Sequence, residues 1–123
     1  MAVTSESTTV WTGDLTSGSG TVSLDSSGAA TLAVNWKARS EGGAETSTPE
    51  ELLGAAHSAC FSMAFSNILA TFGTPPQSIR TTAAVTFDPA QGITGSHLRV
   101  EATVPGLTED DFERLADEAK RTC

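Results

Sequence analysis

Apolar and polar positions alternate along Ala30 to Trp36, with Leu32, Val34 and Trp36 set against Ala33 and Asn35. A period of two predicts a β-strand. Thr21 to Leu24 predicts the strand before it, and Asp25-Ser26-Ser27-Gly28 supplies the turn between them, giving a hairpin or meander. Upstream, Thr9-Val10-Trp11 predicts a short strand, Gly13-Asp14 a turn and Thr16 to Gly20 a loose segment. The Ser/Thr-rich residues 1–8 predict a frayed end, and the polar, glycine-containing residues 37–47 predict a loop.

The pattern then becomes helical. Thr48 suits an N-cap, Pro49 the first helical position, and Glu51 the third position of a capping box. The helix is expected to run to about Phe72, where Gly73 caps it and Pro75-Pro76 forbid continuation. Leu52 to Phe72 has about the length of a membrane span. His57, Ser58, Ser62, Ser66 and Asn67 interrupt it, which favours a helix buried inside protein on most sides. Two further strands are expected, Ile79 to Phe87 and Ile93 to Val104. In the second, Leu98, Val100, Ala102 and Val104 face one way and His97, Arg99, Glu101 and Thr103 the other, as in a sheet with one wet face.

After the Pro105-Gly106 turn, Thr108 caps a last helix with Asp111 three residues on and Leu107 placed to staple onto Phe112. Phe112, Leu115, Ala116 and Ala119 form its apolar stripe, and Lys120 and Arg121 complement its C-terminal dipole. Strands, a long helix, strands and a helix, with no internal repeat or linker, define a single α+β domain over 1–123. At 123 residues the core is of thin margin, and a dimer would bury more apolar surface.

Charge narrows the function. Fifteen acidic residues against seven Lys and Arg give a net charge of −8. An acidic chain without a basic cluster is a poor partner for nucleic acid or for anionic membranes. No apolar leader follows Met1, which points to the cytoplasm. Two Cys and two His without ligand-type spacing do not build a metal site.

In a reducing compartment, two cysteines are more often redox-active than a structural staple. Cys60 lies mid-helix and Cys123 is the last residue. A peroxide-reducing cysteine must be a thiolate, needs a positive or donor group beside it, and needs a second thiol to trap its sulfenic acid. Cys60 and Cys123 can supply the thiols. Arg39 in the preceding loop, or a more distant basic residue, can supply the charge. Glu50 lies ten residues before Cys60 on the same helix, which is about 15 Å along the axis. A Glu50 that serves Cys60 must therefore come from a second chain whose helix runs antiparallel.

The run Thr48-Pro49-Glu50-Glu51-Leu52-Leu53-Gly54-Ala55-Ala56-His57-Ser58-Ala59-Cys60-Phe61-Ser62-Met63-Ala64 resembles the active-site helix of the OsmC/Ohr peroxide-reductase family. Trp11 to Asp14, Gly18 to Ser23, Arg39 to Gly42, Ser78 to Ala83, Val104 to Gly106 and Ala119 to Cys123 agree with it. The resemblance implies a thiol peroxidase for organic hydroperoxides and hydrogen peroxide, serving oxidative or osmotic stress defence. It needs no metal, haem or flavin, and an external dithiol recharges it. It implies that Cys60 is the peroxidatic cysteine, Cys123 the resolving one, Arg39 the arginine that orients the thiolate and Glu50 the glutamate that pairs with that arginine. The implied fold is an intertwined homodimer, with long central helices packed against antiparallel sheets.

The early loop Thr16 to Gly20 lacks the arginine of the Ohr branch, and Glu51 and His57 stand where that branch usually has Gln and Tyr. These positions resemble the OsmC branch. Family members usually continue past the second cysteine with a helix and a final strand. A chain ending at Cys123 is expected to lack these, to leave a sheet edge unpaired, and to set a carboxylate beside the resolving thiol that raises its pKa.

Two other readings compete. His57 is three residues before Cys60 and shares its helix face, as in a Cys–His thiol hydrolase. No Asn or Asp at a recognisable position orients it, so lining a pocket or making a core hydrogen bond is the favoured role. The remaining alternative is a non-catalytic dimeric module with this fold.

Overall fold

The computed structural model describes residues 1–43 and 45–123. The elements in chain order are β1 (Ser7–Thr12), β2 (Ser19–Leu24), β3 (Thr31–Val34), α1 (Trp36–Glu41), α2 (Pro49–Phe72), β4 (Ser78–Asp88), β5 (Gly92–Thr103) and α3 (Glu109–Thr122). They divide into two compact units, one of Met1–Leu52 with Phe87–Thr94, the other of Leu53–Thr86 with Gly95–Cys123.

In the first unit, β1, β2 and β3 form an antiparallel meander. Trp11 pairs across from Gly20 and Val22 from Leu32. A side chain at Gly20 would meet the Trp11 ring at 2.8 Å and Val34 at 3.0 Å, so glycine lets that ring lie across the strand. Val22, Val34 and Ala38 are the buried apolar residues here.

Residues 37–47 are not the loop that their polarity predicts, because α1 occupies Trp36–Glu41. Asn35 causes it. Its side chain accepts from the Ala38 N–H at 2.8 Å, a full N-cap. Gly42 ends the helix by donating to the Ala38 carbonyl. Trp36 thus ends no strand, and opens this helix instead. Ala44, also in the expected loop, lies outside the described residues.

In the second unit the core is a cluster of Phe61, Phe65 and Leu69 from α2 with Leu115 and Ala119 from α3. Leu98, Val100 and Ala102, the inward face of β5, pack against it, as do Leu107 and Phe112. Phe65 touches Phe112 edge-on, with centroids 5.2 Å apart. Thr108 caps α3 through the Asp111 N–H at 3.2 Å.

The long helix begins and ends as its sequence predicts. Thr48 Oγ1 accepts from the Glu51 N–H at 3.0 Å. The reciprocal half of the capping box is replaced, since the Glu51 carboxylate accepts from Ser47 Oγ at 2.8 Å. At the far end Gly73 turns the chain at φ 100°, a left-handed conformation. Its burial differs from expectation. Within one chain α2 hides only one stripe, and Leu53, Met63 and Phe72 stand exposed, Met63 at 73%. It is long and apolar enough to cross a membrane by length and composition, but its buried stripe is built for α3 and β5.

Phe65 and Leu69 are fully buried, so their truncation tests this core. Phe65→Ala is expected to destabilise the chain by about 3–5 kcal/mol in denaturant unfolding. A loss below about 1 kcal/mol would contradict the packing described.

Candidate functional site

Arg39 is set by the last turn of α1 and Glu50 by the first turn of α2. Arg39 Nε donates to both Glu50 oxygens at 3.2 Å, and Nη2 donates to Oε2 at 2.9 Å. This is a fork of charge-assisted bonds. The Glu50 side chain is 7% exposed and that of Arg39 30%. A carboxylate so buried needs the guanidinium, because an unpaired charge there would be costly. Among the described residues, no buried side-chain nitrogen or oxygen lacks a hydrogen-bond partner.

The other face of this arrangement is aromatic. The Arg39 guanidinium carbon sits 4.1 Å from the centroid of the Phe87 ring. Phe87 meets Trp36 edge-on at 6.0 Å and 83°. A cavity of about 490 Å³ adjoins the pair, lined by Arg39, Asn35 and Thr9 and by apolar groups of Trp11, Leu15, Val22, Val34, Trp36, Pro49 and Leu52. It offers one oriented cation in an otherwise apolar hollow. That combination suits a ligand with an apolar body and one polar or anionic end.

The cysteines lie in the second unit. Cys60 is exposed on α2, not buried as the apolar run around it suggests, because only the stripe carrying Phe61 turns inward. Cys123 is the C-cap of α3, its N–H donating to the Ala119 carbonyl at 3.1 Å. Phe61 and Ala119 pack in one core cluster, and this seats the neighbouring cysteines together. Their side chains lie close enough to interact, and both thiols are free. Interaction with the Cys60 side chain pushes the Cys123 thiol up to about 11, with smaller contributions from burial and from the charge of Cys60. Cys123 therefore stays protonated at neutral pH.

The four sequence-predicted residues therefore form two pairs, Arg39 with Glu50 and Cys60 with Cys123. Within α2, Glu50 and Cys60 belong to one continuous helix, and ten residues place them about 15 Å apart along its axis. His57 bonds elsewhere. Its Nδ1 is 2.6 Å from Ser96 Oγ on β5. His97 is exposed. Sequence reasoning did not anticipate Phe87, Trp36 or Ser96. Only Trp36 leaves a signal, its place one helical turn before Arg39 once Asn35 is seen as a cap. Among the described residues no group of three His, Cys, Asp or Glu could hold a metal ion.

Residues 42–123 match the family described as OsmC-like protein. The chain is 42% identical over 116 residues to peroxiredoxin OsmC of Escherichia coli (strain K12), covering 92% of this chain and 80% of that protein. The peroxiredoxin OsmC of Shigella flexneri matches to the same extent. Among solved structures, the fold is similar to an organic hydroperoxide resistance protein from Elizabethkingia anophelis, with a TM-score of 0.69 at 26% identity, over 100% of this chain and 85% of that one. An organic hydroperoxide resistance protein OsmC from Legionella pneumophila shares the fold, with a TM-score of 0.68 at 20% identity, over 100% of this chain and 86% of that one.

The Arg39–Glu50 pair can be tested apart from any activity. A double-mutant cycle of Arg39→Ala and Glu50→Ala is expected to give a coupling of about 1–3 kcal/mol in unfolding free energy. Additive losses would contradict a working ion pair.

Proposed function

The chain belongs to the OsmC-like protein family, and on that footing we propose that it is a two-cysteine peroxidase that reduces organic hydroperoxides and, less selectively, hydrogen peroxide. The observation that carries this reading is the closeness of Cys60 to Cys123, on the α2 and α3 segments that share one core cluster. It is the contact a sulfenic acid and its resolving thiol require. Relatives named peroxiredoxin OsmC and organic hydroperoxide resistance protein support the same chemistry.

The Cys60 thiolate attacks the outer peroxide oxygen. The O–O bond breaks, Cys60 becomes a sulfenic acid, and the departing alkoxide takes a proton to leave as alcohol, or as water when hydrogen peroxide is the substrate. Cys123 then attacks the Cys60 sulfur, expelling water and forming a disulfide. An external dithiol reduces that disulfide by exchange and is itself oxidised. While Cys60 is reduced, its interaction with Cys123 raises that thiol to about 11 and keeps it protonated. Oxidation of Cys60 changes that interaction and lets Cys123 act as nucleophile.

Arg39, aligned by Glu50, is the cation that steadies the thiolate and polarises the peroxide. On this reading it serves the Cys60 of a second chain in a homodimer, which the ten-residue spacing of Glu50 and Cys60 on α2 supports. The exposed Leu53 and Met63 on α2 give such a dimer apolar surface to bury. The hollow beside Arg39 favours peroxides with an apolar body. Recharging by a dithiol suits a reducing cytoplasm. A Cys–His hydrolase is disfavoured by the bonding, since His57 pairs with Ser96.

Two measurements test this. After one equivalent of organic hydroperoxide the intact mass is expected to fall by two hydrogens. Cys123→Ser should instead gain one oxygen, and Cys60→Ser should not change. Unchanged mass in the native chain would end the peroxidase reading. In the second, Cys60→Ala is expected to bring the Cys123 titration, followed by thiolate absorbance, down from about 11 toward 9.0. A midpoint that stays near 11 would show that Cys60 does not hold the proton there.

A further inference from the structure

The Arg39 guanidinium is fixed on an edge and on a face, and only the edge has an assigned partner. Its Nε and Nη2 edge meets Glu50 at 2.9–3.2 Å. A carboxylate on one edge sets where the group lies but leaves its plane free to tilt about the line joining the pair. The Phe87 ring, 4.1 Å from the guanidinium carbon, removes that tilt. Phe87 is braced in turn by Trp36, edge-on at 6.0 Å. Trp36 opens the same short helix that carries Arg39, and Phe87 comes from the end of β4. The half-buried ring is therefore locked between elements and cannot follow a moving arginine. Stacked cations on aromatic faces gain from the ring quadrupole, and more so where water is partly excluded.

Among the described residues, the hydrogen bonds of Arg39 use Nε and Nη2, so the Nη1 edge is left for another partner. A planar donor fork is selective only when its plane is fixed. We propose that Phe87, braced by Trp36, is a positioning residue that sets the plane of the Arg39 guanidinium and so aims its uncommitted N–H groups at the reacting sulfur and peroxide. This rests on the reading above, in which Arg39 serves a Cys60 thiolate.

The test separates a π face from plain packing. Phe87→Leu keeps apolar bulk without the ring, and Phe87→Tyr keeps the ring. Two readouts are taken on chains whose thermal unfolding shows them folded. They are the Arg39 Nε–H resonance, which a ring face shields, and the single-turnover rate of Cys60 oxidation by an organic hydroperoxide. Phe87→Leu is expected to move the resonance downfield and to slow oxidation about 3- to 10-fold. Phe87→Tyr should stay within about twofold of the native rate, with the resonance still shielded. A native rate in Phe87→Leu, or an equal loss in both variants, would overturn the proposal. Arg39→Gln tells its failure from that of the underlying reading. If Arg39→Gln leaves oxidation unchanged, the role of Arg39 itself falls and takes this proposal with it. If Arg39→Gln slows oxidation while Phe87→Leu does not, only the role of Phe87 is lost.

Discussion

An unbroken α-helix advances about 1.5 Å per residue whatever its sequence, and α2 is unbroken from Pro49 to Phe72. Thr48 and Gly73 stop it cleanly, so nothing inside lets it fold back on itself. This rigidity decides where chemistry can occur. Glu50, with Arg39 locked to it, belongs to the first turn, and Cys60 comes almost three turns later. On the proposed reading, a thiol that needs this cation finds it on another copy of the helix.

The two half-sites are stabilised by different physics. Around Arg39 the means are electrostatic, with a buried carboxylate on an edge, an aromatic face beneath and an apolar hollow beside it. On a chain of net charge −8, a single fixed cation is a local exception, and a carboxylate partner keeps it from collapsing onto other acids. Around Cys60 the means are packing. Phe61 and Ala119 belong to one α2–α3 core cluster, which brings a mid-helix cysteine and a helix-end cysteine close together.

Much of this was legible in the sequence, for local reasons. The ends of α2, the inward face of β5 and the stripe of α3 follow from caps, glycine, proline and periodicity, which act over a few residues. The short helix α1 was missed because its one cue, Asn35, precedes a polar stretch that resembles a loop. The aromatic support of Arg39 was not legible, since Phe87 is an ordinary strand residue until the fold sets it against α1. The exposure of Cys60 was misjudged because an apolar run does not say which faces have a partner within one chain. The roles of Cys60, Cys123, Arg39 and Glu50 came from resemblance to a family. The fold adds to it that these residues meet in two pairs.

The most direct test of a site shared between chains is complementation in a mixed dimer. One chain carries Arg39→Gln with its cysteines intact, and the other carries Cys60→Ser with Arg39 intact. The two are co-expressed with different tags and purified as the mixed species. A shared site predicts about half the native peroxidase rate, from the one centre in which an intact Cys60 faces an intact Arg39, although neither parent homodimer is active. A mixed dimer no more active than its parents would contradict the account.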